Sequence, residues 1–159
     1  MMTGLEPRDF TWIISGRLAV SERIGGYGFQ HRRVRREEEI AWLLGKGFTA
    51  VLSLLEGNQN LAAYEAAGLK AHHAPLDEQD PASVTAVFAA VREALRPAGA
   101  VVMMHRDIVD DAVAGVIAGY LVSSGRVADP IMATAVVQEI LKRPLGPGAR
   151  AMIPAKADA

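Results

Sequence analysis

The sequence predicts an α/β fold: a three-layer arrangement with a twisted, mainly parallel sheet and helices on both faces. Three observations carry that expectation. After an N-terminal hairpin, short apolar runs alternate with stretches whose apolar residues recur at helical spacing. The run Val101-Val102-Met103-Met104 is apolar throughout, as a strand covered on both faces is. It leads through a short polar segment directly into Ala112-Val113-Ala114-Gly115-Val116-Ile117-Ala118-Gly119-Tyr120-Leu121, an apolar helix. Strand, loop and helix N-terminus in that order make free backbone N–H groups converge, the geometry of an anion cradle. Ligands bind such sheets beyond the C-terminal ends of the strands, so the segment from His105 to Asp111 is the candidate site.

Taken in order, Met1 to Asp9 is a polar lead. Phe10 to Ile14 reads as a strand from its aromatic and β-branched residues, Ser15-Gly16 turns it, and Arg17 to Val20 is its partner. Ser21 to Arg36 is expected as a glycine-containing loop ending in a basic run, with Glu37, Glu38 and Glu39 opening a helix to about Gly45, where acidic residues suit the macrodipole. Phe48 to Leu54 is a central strand. Leu61 to Ala67 is a short helix stopped by Gly68, and Leu69 to Ala74 the next strand. Pro75 to Pro81 is a loop. A long helix follows, with Ser83 as its expected N-cap and Val84, Val87, Phe88, Val91 and Leu95 as its buried stripe, ended by Pro97-Ala98-Gly99. The helix from Ala112 runs to about Ser124. Asp129 at N-cap and Pro130 at N1 start the last helix, to about Lys142. Residues 1–144 are expected as one domain, and 145–159, with Pro147, Pro154 and small residues, as a loosely ordered tail.

The whole chain narrows the function classes. Its 159 residues suit one domain with a sizeable core, and its net charge of −1 gives no field that favours nucleic acid or an acidic membrane. Zero cysteine excludes a disulfide framework and cysteine–zinc sites. No run has the length of a membrane span or the form of a signal peptide, so the expected location is cytoplasmic. Arg32, Arg33, Arg35 and Arg36 read first as a solvated face partly neutralised by the following glutamates, and second as a docking patch for an acidic partner.

The strand, His105 and Val116 to Leu121 resemble the active-site segment of the cysteine-dependent dual-specificity and tyrosine phosphatases. That family reads His-Cys, two residues, Gly, two residues, Arg, Ser/Thr, Gly, then a helix with an Ala-x-Tyr-Leu-like run. The stretch Asp9 to Ala19 is similar to the opening of small atypical dual-specificity phosphatases, Phe48 to Leu54 to a central strand of the family, and Arg143-Pro144 to the pair after its last helix. The resemblance spans residues 9 to 144 and implies that family's fold. It also implies a loop stripped of its reactive groups. Arg106 stands where the nucleophilic cysteine belongs, Val109 where the loop glycine belongs, Ala112 in place of the phosphate-binding arginine and Val113 in place of the Ser/Thr. In the family the loop after Ala74 supplies a general acid, and Asp77 is the best positional match, with Asp80 second.

The chemistry explains the consequence. That hydrolysis needs a thiolate and an arginine fork, and no other thiol exists in the chain. The loop sets Asp107, Asp110 and Asp111 against Arg106, a formal charge of −2 with His105 neutral, which opposes a phosphate dianion. The expected reading is a pseudophosphatase: no catalytic residue within His105, Arg106, Asp107, Ile108, Val109, Asp110, Asp111 and Ala112, no cofactor, no metal, and a role in binding a protein partner or small ligand. The alternative is a hydrolase with another mechanism, metal-assisted through Asp77, Asp107, Asp110, Asp111 and His105. Against it, carboxylates beside a helix start serve as caps and ion-pair partners without a metal, and Arg106 is expected to pair with Asp107, Asp110, Asp111 or Asp77. His72 and His73 are adjacent on a strand and face opposite sides, so they cannot ligate one ion together.

Overall fold

A computed structural model describes residues 4–58 and 60–158, apart from the side chain of Gln30. The first three residues of the polar lead and the last of the tail lie outside them. Among the described residues five strands form one sheet: β1 (Thr11–Ile14), β2 (Leu18–Ser21), β3 (Ala50–Ser53), β4 (Lys70–His73) and β5 (Val102–His105), in the spatial order β1-β2-β5-β3-β4. Only β1 runs antiparallel to its neighbour; the other pairings are parallel. The mixed sheet, with helices packed on both faces, is the predicted architecture.

Strand periodicity explains the two cores. Leu18, Val20, Ala50, Leu52, Val102 and Met104 point to one side and join the buried faces of α3 (Pro81–Leu95), α4 (Asp111–Ser123) and α5 (Pro130–Leu141). Ala19, Val51 and Met103 point to the other and meet Ile40 and Leu43 of α1 (Arg33–Gly45) and Tyr64 of α2 (Leu61–Ala66). On this second side Trp12 stacks on Phe48 with centroids 5.3 Å apart, and Phe10 sits edge-on to Trp42 at 5.0 Å. β5 is central and wholly buried, so its C-terminal end delivers the candidate loop at the middle of the sheet edge. Among the described residues no helix is long and apolar enough to cross a membrane.

Three local expectations are corrected. α1 begins at Arg33, so the basic run forms its first turn and the glutamates lie within it. The cause is Glu39, which is fully buried: its Oε1 accepts the Gly25 N–H at 2.8 Å and its Oε2 accepts from Arg35 Nε at 2.7 Å, one turn back. The N-cap of α3 is Asp80, not Ser83, with Pro81 at N1; Asp80 accepts from the Ala82 N–H at 3.0 Å, while the Ser83 hydroxyl donates to the Pro75 carbonyl. The segment from residue 145, expected to be loose, packs down: Leu145, Ala149 and Met152 are buried, and a short helix α6 (Pro147–Ala151) lies against α4. Farther on, Asp158 accepts from the Ser123 hydroxyl at 2.6 Å and from Arg92 at 3.1 Å. Small residues permit the close fit, since a Cβ on Gly115 would stand 2.7 Å from the Ala149 Cα.

Candidate functional site

The site starts with His105, the last residue of β5, level with Ser21 of β2 and Ser53 of β3. It belongs to the strand rather than to the loop, so the loop proper is residues 106–110. His105 is completely buried, and its Nε2 lies 3.2 Å from the Tyr64 hydroxyl. Burial first, and the Arg23 guanidinium second, push its pKa down to about 3. The ring is therefore neutral at physiological pH, and it takes no part in the charge of the loop. Burial likewise raises the Tyr64 phenol, so the pair is uncharged.

Arg106 leaves the strand end and reaches across the loop mouth. Its Nη2 donates to the Leu76 carbonyl at 3.0 Å and to Glu78 Oε2 at 3.1 Å, and its Nη1 to Asp110 Oδ2 at 3.5 Å. The guanidinium thus ties the segment after β4 to the segment after β5. Of the four carboxylates expected as its partners, Asp110 is one; Asp107, Asp111 and Asp77 are not. Asp107 lies 3.9 Å from Arg23. Asp111 Oδ1 accepts the Gly146 N–H at 2.9 Å, with Arg143 at 3.8 Å.

Glu78 is the residue that the sequence reading missed. It sits between the two carboxylates singled out as former general acids, and those two have local duties instead. Asp77 Oδ1 accepts the Gln79 N–H at 3.0 Å, a turn bond, and Asp80 caps α3. No signal in the sequence singled it out, because the gap between Arg106 and the segment after β4, which the longer side chain spans, is set by the tertiary structure.

Asp110 is the N-cap of α4, its Oδ1 accepting the Val113 N–H at 3.0 Å. One donor that an anion would have used is thereby satisfied by the chain itself. Val109 packs against the core and gives its carbonyl to Arg143 Nη1 at 3.1 Å. Ile108 is left exposed. Tyr27, Glu78, Arg106, Asp107, Ile108 and Asp110 line a depression of about 420 Å³. Three carboxylates and one arginine give it a formal charge of −2, the reverse of a phosphate cradle. Among the described residues no three histidines or carboxylates converge in a way that holds a metal ion. His72 is half-buried and His73 exposed, the latter 2.6 Å from the Leu55 carbonyl.

Neither a protein-family model nor a curated protein sequence matches the chain. Solved structures do. Tk-PTP in its active form superposes with a TM-score of 0.67 at 18% identity, covering 90% of this chain and 91% of that one. The core catalytic domain of the PP-IP phosphatase SIW14 from S. cerevisiae, in complex with citrate, gives 0.64 at 11% identity over 94% and 85%. Human DUSP28 gives 0.61 at 19% identity over 93% and 92%. These likenesses cover most of both chains. The chain therefore has the dual-specificity and tyrosine phosphatase fold, built without a single cysteine.

Proposed function

We propose that the protein is a pseudophosphatase, a phosphatase-fold domain that binds a protein or small ligand and does not hydrolyse phosphate esters. The observation that carries this reading is the bridge made by Arg106. At the position of the family's nucleophile stands a cation, engaged by Leu76, Glu78 and Asp110 and tying the two segments together at the edge of an acidic depression. The neighbouring features support it: no thiol exists, Ala112 supplies no guanidinium, and Asp110 already fills the start of α4. Asp77 and Asp80 are engaged in turn and cap bonds rather than free for proton transfer. The reading assigns no cofactor or metal, and a cytoplasmic location is part of it.

The test is turnover of an aryl phosphate by purified protein, with and without divalent cations. Background rates are expected in both. Arg106→Cys is also expected to stay at background, because the loop would still lack the glycine at Val109 and the arginine at Ala112. Hydrolysis that co-purifies with the protein overturns the reading, and dependence on the metal would redirect it toward the carboxylates.

A further inference from the structure

A second feature lies away from the loop, between α1 and α2. Ile40, Ala41 and Leu44 form one wall of a trough of about 440 Å³, and Ala63, Ala66 and Ala67 the other. Four of these six side chains are alanine methyls, so another backbone can approach closely. Arg36 and Glu37 line its end toward the start of α1. The apolar surface continues beyond the trough. Val34 is 69% exposed and Leu44 43% exposed, and with Ala41 they follow one face of α1 at helical spacing. Phe29, 99% exposed, stands in the turn that precedes the helix.

The same end is basic. Arg32 and Arg33 are exposed, Arg36 is half-buried, and Glu37, which lines the trough, is paired to Arg33 at 3.1 Å. Arg36 donates from Nη1 to Asn60 at 3.2 Å, while its buried Nε has no acceptor among the described residues. Arg35 is set apart, turned inward onto Glu39. The four arginines of the run are thus not one patch: Arg36 lines the apolar trough, Arg33 pairs with Glu37 at the same end, and Arg32 stands at the start of the helix with its guanidinium on the Phe29 and His31 carbonyls.

We propose that this trough docks an amphipathic helix of a partner protein, with aliphatic residues on one face and aspartate or glutamate where it lies over the start of α1. Helix-in-groove recognition reads such a pattern, and rim charges set its register and rate of encounter. A second copy of this chain fits poorly. A two-fold contact would offer the trough only its own walls, an apolar stripe whose charged end holds Arg36 and an already paired Glu37, with no surplus of carboxylate. A lipid surface fits poorly as well, since a bilayer does not enter a concave trough. The proposal names partner chemistry for the binding role above and rests on it.

The probe is a library of helical peptides displayed on phage, selected on the full chain and counter-selected on Ala66→Arg. Peptides with aliphatic residues at i, i+3 or i+4 and i+7, enriched in acidic residues, are the expected product. For the best synthetic peptide, fluorescence anisotropy is expected to show binding weakened at least tenfold by Ala66→Arg and by Ala41→Glu on the opposite wall. Ala62→Arg, exposed on the same short helix and outside the trough, is expected to bind normally and so controls for folding. Arg32→Glu with Arg33→Glu is expected to weaken binding several-fold, more at low salt. Enrichment of basic peptides, no discrimination by the two wall variants, a dimer dissolved by Ala66→Arg, or trough-dependent binding to anionic vesicles each overturns the proposal. Aryl-phosphate turnover by the same preparations would reject the non-catalytic reading separately, whatever the peptides do.

Discussion

The loop 106–110 and the helix α4 are adjacent in sequence, yet different physics holds each in place. α4 is fixed by shape. Eleven consecutive residues, Val113 to Ser123, are buried, and Gly115 and Gly119 admit α6 and Phe88 to distances that no Cβ would tolerate. The loop is fixed by charge and hydrogen bonds: Arg106 to three acceptors, Asp110 to the Val113 N–H, Asp107 near Arg23. The difference teaches that a fold of this kind does not depend on its reactive groups. The packing of the strand and helix positions the loop, and the loop residues can change wholesale provided each polar group finds a partner.

The largest test of that comparison is a substitution in the helix. Gly115→Val would push a side chain into the Ala149 backbone and is expected to cost about 3 kcal/mol or more, read as a lower urea midpoint. If the variant is as stable as the parent, α6 is not seated on α4 and shape does not hold this region.

At a given pH near neutrality a smaller effect is expected from His105, where helix-side packing and loop chemistry meet. The folded pKa of about 3 lies below the ordinary 6.5, so the unfolded chain binds more protons between those values. Stability contributed by the neutral ring is complete above pH 6.5 and is lost as pH falls toward 3, by up to about 1.4 kcal/mol per pH unit. His31 and His72 are also lowered by burial and act in the same direction. His105→Gln is expected to flatten the acid limb of the stability–pH curve relative to the parent. An unchanged slope would mean that this ring is hydrated.

Arg106→Ala comes next. It removes one bond to a backbone carbonyl and two partly exposed ion pairs, for an expected loss of about 1 kcal/mol. The sharper readout is faster proteolysis within residues 75–81, the segment the arginine holds. Equal cleavage rates would show that the bridge does not restrain that loop. The smallest effect is expected from Asp129→Ala, which removes the cap of α5 through the Met132 N–H at 2.8 Å and should lower stability by roughly 0.5–1 kcal/mol without altering the site. A loss matching that of Gly115→Val would mean that local capping rivals packing in this half of the protein.

Much of this was legible in the residues. Alternating strand runs and helical stripes determined the α/β class, because burial on both faces of a parallel sheet demands continuous apolar strands. Asp129-Pro130 announced the last helix, because Pro suits N1 and Asp suits the cap. The surplus of carboxylates over Arg106 predicted an ion-paired loop, and Asp110 is both the cap and a partner. These are short-range matters, settled by neighbours in the chain. Other features depend on contacts that only folding creates. The start of α1 was misread because Glu39 is recruited by Gly25, fourteen residues earlier. Residues 145–152 looked loose because nothing local marks them as packed, whereas Gly115 and Gly119 supply the room that seats them. Glu78 took the place expected of Asp77 because Arg106, twenty-eight residues on, needs a carboxylate at a distance that the tertiary structure alone determines.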